Sequence, residues 1–190
     1  MKVSPKIIFA FLFFSPLLLL AQTTVFLSPE EALKIIFKDS KEVHKEDHKL
    51  DEAAQKKAQD LLGYVPPKDR YTFYLGKTDG KVDGYALIDE QVGKVLPITF
   101  IIRLSPEGKV QTVEVMVYRE SHGGEVKSKR FLRQFENKDL NEELRLQGNI
   151  VNISGATLSS RALVIGVRRA IVLWNIFYGN SATVSPKQSH

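Results

Sequence analysis

The chain has 190 residues and not one cysteine. That absence excludes a disulfide scaffold, a thiol nucleophile and a lipid-modified cysteine, so any redox chemistry needs a cofactor or metal taken up from outside. The chain also lacks a long apolar run. The stretch Ile7 to Ala21 is apolar apart from Ser15 and Pro16, but falls short of the roughly 20 residues that span a bilayer. The late run Ala170 to Tyr178 is shorter still and is interrupted by Asn175. No G-x-S-x-G elbow, phosphate loop or dinucleotide fingerprint is present, which removes the common hydrolase and nucleotide-binding signatures. Charge of one sign is scarce too. Removing Lys2 and Lys6 from the formal net charge of +5 leaves about +3. Lysines alternate with acids along the chain, as on a solvated surface, so no nucleic-acid partner is expected. Internal repeats and low-complexity linkers are absent.

The residues present divide into four parts. Residues 1–21 combine a basic start with a short apolar core, the pattern of a signal peptide, with an uncleaved anchor as the alternative. Residues 22–67 are expected to form a helical appendage. Ser28-Pro29-Glu30-Glu31 reads as a capping box with proline at the first helical position. Asp51 can cap a second helix that Gly63 and Pro66-Pro67 end. Residues 68–178 hold the main domain. Tyr71–Lys77, Gly84–Asp89, Leu96–Leu104 and Val110–Tyr118 read as strands, joined by turns at Thr78-Asp79-Gly80 and Ser105-Pro106-Glu107-Gly108. Val113, Val115 and Val117 are expected to share one buried face. Helical signals follow at Lys127–Phe135 and Ser160–Tyr178, the latter with an apolar stripe from Leu163 to Trp174. Residues 179–190 read as a polar tail. Helices outside a contiguous run of strands predict an α+β fold, a small antiparallel sheet flanked by helices.

Three places invite chemistry. In Ser154-Gly155-Ala156-Thr157 the side chains are small, so a ligand can approach the backbone before a helix whose first N–H groups are free for a phosphate. Ser159 or Ser160 can cap that helix, and a plain hydroxyl-rich turn fits the same residues. At the end of the strongest predicted strand, Glu120 and His122 offer polar contacts, and Gly123-Gly124 leave room for a ring. An exposed turn is the alternative. His44 and His48 would share a face on a helix, a spacing that suits zinc. The intervening acids are misplaced for a metalloprotease and no third ligand is evident, so no metal is predicted.

Three stretches carry a resemblance: "GYALIDEQVGKVLPITFIIRLSPEGKV", "VEVMVYRESHGGEVKSKRFLRQF" and "ISGATLSSRALVIGVRRAI". In this order they resemble the FMN-binding domain family, found in the flavin-carrying C subunit of sodium-pumping NADH:quinone reductase and the G subunit of the Rnf complex. The resemblance implies FMN as cofactor, bound through a phosphoester to Thr157 by an exported flavin transferase. It further implies that Ser154, Gly155 and Ala156 form the phosphate-side turn, that Leu158 and Ser159 lie beside the cofactor, and that Glu120, Gly123 and Gly124 lie near the flavin. Six positions before the acceptor threonine the family usually carries an acid, and here Val151 stands.

The expectation is therefore an extracytoplasmic, periplasmic electron carrier that works with a membrane-bound redox partner and is membrane-associated if its apolar segment stays attached. No residue stands out as a substrate acid or base, which favours a carrier over a stand-alone enzyme. Alternatives are a flavin-dependent reductase that binds FMN without a covalent bond, and a flavin-free binding module of the same fold.

Overall fold

The computed structural model describes residues 23–179. The signal segment and, beyond Gly179, the polar tail lie outside the described residues. The elements run β1 (Thr24–Val25), α1 (Pro29–Ile36), β2 (Glu42–Lys49), α2 (Glu52–Leu62), β3 (Arg70–Thr78), β4 (Lys81–Val92), β5 (Pro97–Leu104), β6 (Val110–Tyr118), α3 (Lys129–Leu132) and α4 (Thr157–Phe177). Local chemistry sets most of these limits. Ser28 accepts from the Glu31 amide at 3.2 Å while the Glu31 carboxylate accepts from the Ser28 amide at 2.8 Å, closing the expected capping box. Asp51 caps α2 by accepting from the Ala54 amide at 2.8 Å, and Gly63 ends it at φ +81°. The β3–β4 hairpin turns through Asp79 and Gly80, both at positive φ, as its tight connection requires.

The six strands form one antiparallel sheet in the order β1-β6-β5-β4-β3-β2. The α+β expectation holds. The segment 22–67 does contain α1 and α2, but it also supplies both edge strands. β2 was not expected: its sequence, EVHKEDHK, alternates no apolar residues. It becomes a strand because it pairs along its length with the aromatic β3, His48 opposite Tyr71 and Glu42 opposite Lys77. Its charges face solvent, which guards an open edge against further pairing.

α1 and α4 cover opposite faces of the sheet. Under α1, Ala32, Ile36 and Phe37 pack on Ala86, Ile101 and Met116. Arg103 locks this layer, donating to the Ile36 carbonyl at 2.7 Å while its guanidinium lies over the Phe37 ring. The larger core lies under α4, where Leu163, Val167, Ala170 and Trp174 meet Phe73, Leu87, Phe100, Ile102, Val113 and Val115. Gly166 sits where helix and sheet come closest, for a Cβ there would stand 2.1 Å from the Phe100 ring. α2 packs on the far side of α4 through Ala58, Leu62 and Val172. Almost every residue of α4 from Ala162 to Trp174 is consequently buried.

Three differences from the predicted elements matter for the site. The predicted helix at Lys127–Phe135 is the short α3 between two 3₁₀ turns, Gly124–Lys127 and Arg133–Phe135. α4 begins at Thr157 rather than Ser160, with Ala156 as its cap residue and no side-chain cap. Ser159 and Ser160 therefore lie inside the helix, both buried, and cap nothing. In β6, finally, the valine alternation is broken. Val115 pairs with Phe100 and Val117 with the next residue, Thr99, so Met116 is a bulge. Val113 and Val115 face α4, but Val117 turns with Met116 toward α1. The bulge is what brings Tyr118 back to the α4 face.

Candidate functional site

Tyr118, the last residue of β6, is 4% exposed and reaches the first turn of α4. Its hydroxyl donates to the His122 carbonyl at 2.5 Å. With that single proton committed, the contact of 2.8 Å between Tyr118 Oη and Ser159 Oγ has Ser159 as donor. Burial raises the phenol's pKa, the Ser159 hydrogen bond opposes this in part, and the charges of Glu120 and Glu125 add to it. The hydroxyl thus stays protonated at neutral pH and keeps the loop 119–123 tied to the helix.

Gly123 completes the joint. Its φ is +90°, and a Cβ would lie 2.6 Å from both Ser159 Oγ and Tyr118 Oη. Glycine is required here on both counts, conformation and space. Gly124 begins the following 3₁₀ turn, and a Cβ there would meet the Tyr118 ring only at ordinary contact distance.

The structure brings together the two segments singled out from the sequence. Ser121, His122, Gly123, Gly124 and Glu125 form one wall of an open groove of about 490 Å³, with Ser154 and Gly155 opposite and Lys127 at its margin. Gly155 has φ +80° with nothing within 4 Å of a Cβ, so the turn it makes is open to the groove. Ala156 is buried and donates to the Ile153 carbonyl at 3.0 Å. Thr157 and Leu158, the first residues of α4, are exposed, Leu158 by 44%. Asn152 Nδ2 donates to Thr157 Oγ1 at 2.8 Å.

Two expected contributors are placed differently. Glu120 is on the same loop, yet its carboxylate accepts from the Val95 and Leu96 amides at 2.6 and 2.9 Å, bracing the β4–β5 hairpin and not lining the groove. Ser159 stands beside the groove but its hydroxyl is inside the joint with Tyr118. His44 and His48 share one face of a strand, not a helix, and serve separate partners. His44 Nε2 meets Glu42 at 2.9 Å; His48 stacks on Phe177 at 4.6 Å and meets Tyr178 Oη at 2.6 Å. Among the described residues no group of three or more metal-ligating side chains occurs.

A further polar cluster was not read from the sequence. Arg169, fully buried in α4, bonds Asp89 of β4 at 2.7 Å, Gln91 at 2.9 Å and the Glu90 carbonyl at 2.8 Å. Lys68 reaches the other Asp89 oxygen at 3.1 Å. The only available signal was the alternation in β4, which places Asp89 on the same face as Leu87.

α4 opens with no side-chain cap and no acid in its first turn. The leading N–H groups of a long helix are thus left to an anion, with the positive end of the helix dipole behind them. A hydroxyl, small-residue turns and an open groove stand at that point, which fits a phosphate-bearing ring cofactor.

Residues 93–172 match the family model of the FMN-binding domain. No curated protein matches the chain. Among solved structures, NqrC of Shewanella oneidensis shares the fold at a TM-score of 0.57 and 16% identity, over 80% of this chain and 88% of that one. Residues 93–172 are therefore similar to the FMN-binding domain, a match that supports FMN as the cofactor.

Proposed function

We propose that the protein is an extracytoplasmic electron carrier whose FMN is held by a phosphoester on Thr157. The observation that carries this reading is the groove itself: the 121–125 loop and the 154–155 turn face one another beside an uncapped helix whose first residue is an exposed threonine. FMN supplies one- and two-electron redox chemistry when bound. The chain's own share is placement. The free amides of Thr157, Leu158 and Ser159 suit the phosphate charge, an interaction worth about 0.3–1 kcal/mol at an exposed helix end and up to about 2 kcal/mol when partly buried. Gly155 leaves the backbone accessible, Gly123 lets the 119–123 loop close onto the helix, and the Tyr118–Ser159 joint holds the two walls in register.

Export by the segment 1–21 makes covalent attachment useful, since a dissociated flavin outside the cytoplasm is lost by dilution. A flavin transferase and a membrane-bound redox partner are the partners this reading requires. One observation favours a second reading, reversible FMN binding: Val151, 69% exposed, stands where the family carries an acid. Co-expression with a flavin transferase separates them. Attachment predicts a fluorescent band on a denaturing gel and an FMN mass increment, both abolished by Thr157→Ala. A yellow protein that releases all its FMN on denaturation refutes the covalent reading and supports the reversible one.

A further inference from the structure

We propose that Asn152 is a positioning residue for flavin attachment, holding the Thr157 hydroxyl with its proton turned outward. The proposal rests on the reading of Thr157 as acceptor and concerns how that hydroxyl is presented.

The Asn152 amide donates to Thr157 Oγ1 at 2.8 Å. One lone pair of the hydroxyl is thereby engaged from the Asn152 side, so the hydroxyl's own proton points away from it. The frame around Asn152 is held at both ends. Before it, the Gln134 side chain grips the Val151 backbone, Oε1 accepting from the amide at 2.7 Å and Nε2 donating to the carbonyl at 3.1 Å. After it, the Ala156 amide donates to the Ile153 carbonyl across the Gly155 turn. The amide is thus delivered to Thr157 by a braced segment, not by a free loop.

The other end of the same amide argues against a purely structural role. Asn152 Oδ1 is buried and has no hydrogen-bond partner. An acceptor buried without a donor costs stability, so the fold gains little from asparagine here. What the side chain provides is the single bond to the attachment hydroxyl.

In the attachment step Oγ1 bonds to the phosphorus of an FMN unit held in a pyrophosphate donor. The pyrophosphate P–O bond breaks, the leaving nucleotide takes the electron pair, and the hydroxyl proton passes to a base of the transferase. No redox change occurs. An Oγ1 oriented by Asn152 already has its proton on the side from which the donor and the base arrive.

The test uses the full chain and a flavin transferase, following the covalent adduct by intact mass at several chain concentrations. Asn152→Ala should lower kcat for attachment about three- to tenfold, the worth of one hydrogen bond, while KM stays within about twofold. Its melting temperature should equal or exceed that of the unaltered chain. Asn152→Asp, whose carboxylate cannot donate and repels phosphate, should be at least as slow. Attachment to Asn152→Ala at the unaltered rate overturns the proposal, as does a rise in KM together with a fall in melting temperature. An unaltered chain that acquires no adduct overturns the acceptor reading itself, a distinct outcome.

Discussion

Gly123→Ala offers the sharpest check on how the site is assembled. At φ +90° an alanine is in the left-handed region, which costs an L residue about 1–2 kcal/mol. Its Cβ would also stand 2.6 Å from Ser159 Oγ and Tyr118 Oη. Both atoms belong to a buried joint between the end of β6 and the first turn of α4, and neither can retreat without breaking their mutual bond, worth about 1 kcal/mol more. The total is about 2–3 kcal/mol. Gly63→Ala is the control, because φ there is +81° with nothing within 4 Å of the new Cβ, so only the conformational cost of about 1–2 kcal/mol applies. Urea denaturation of both variants, compared at a common m-value, measures the difference. The extent of FMN loading by a flavin transferase, measured alongside, should fall in Gly123→Ala and remain unaltered in Gly63→Ala. Equal losses of stability in the two variants would refute the claim that Gly123 is pressed against the Tyr118–Ser159 pair.

Three further outcomes are expected. Asp89→Leu should destabilise the protein by about 3–5 kcal/mol, because Arg169 is left as an uncompensated buried charge; Arg169→Leu should cost less, since Lys68 still pairs with Asp89 at 3.1 Å, and the double variant should recover much of the Asp89→Leu loss in thermal melts, Lys68 being able to turn outward. Gly166→Ala should destabilise despite alanine's better helix propensity, since the roughly 1 kcal/mol gained is outweighed by a Cβ 2.1 Å from the Phe100 ring; a rise in melting temperature would contradict the close packing. Burial opposes ionisation of Asp83, but hydrogen bonds from Ser40 and Thr78 and the Arg103 charge outweigh it and lower its pKa below 3.8. A depressed folded pKa gives stabilisation that is complete above the unfolded value and lost as pH falls through the folded one. Asp83→Asn should accordingly flatten the acid limb of the stability curve below about pH 4 and leave its shape at pH 7 unchanged.

Local rules account for what could be read in advance. The capping box at Ser28, the Asp51 cap, the turns and the four inner strands all depend on residues adjacent in sequence, so their physical cause is visible there. The same holds for the small-residue turn before α4: its capacity to admit a ligand is a property of the residues themselves. Other features have no local cause. β2 carries no apolar alternation and exists because β3 supplies its hydrogen bonds. Arg169 carries no local sign of its partner, Asp89, eighty positions earlier. The bond of the Glu120 carboxylate to the Val95 and Leu96 amides likewise has no local sign in the sequence.

By itself, the sequence determined which groups were available for the chemistry: a hydroxyl at Thr157, Gly123 and Gly155 able to take positive φ, and no thiol to compete. Tertiary structure decided how they meet. The bulge at Met116, the second irregularity along β6, reverses the strand's facing and sends Tyr118 inward to Ser159. That choice depends on the pairing of β6 with β5, a non-local hydrogen-bond register that no stretch of either strand specifies alone.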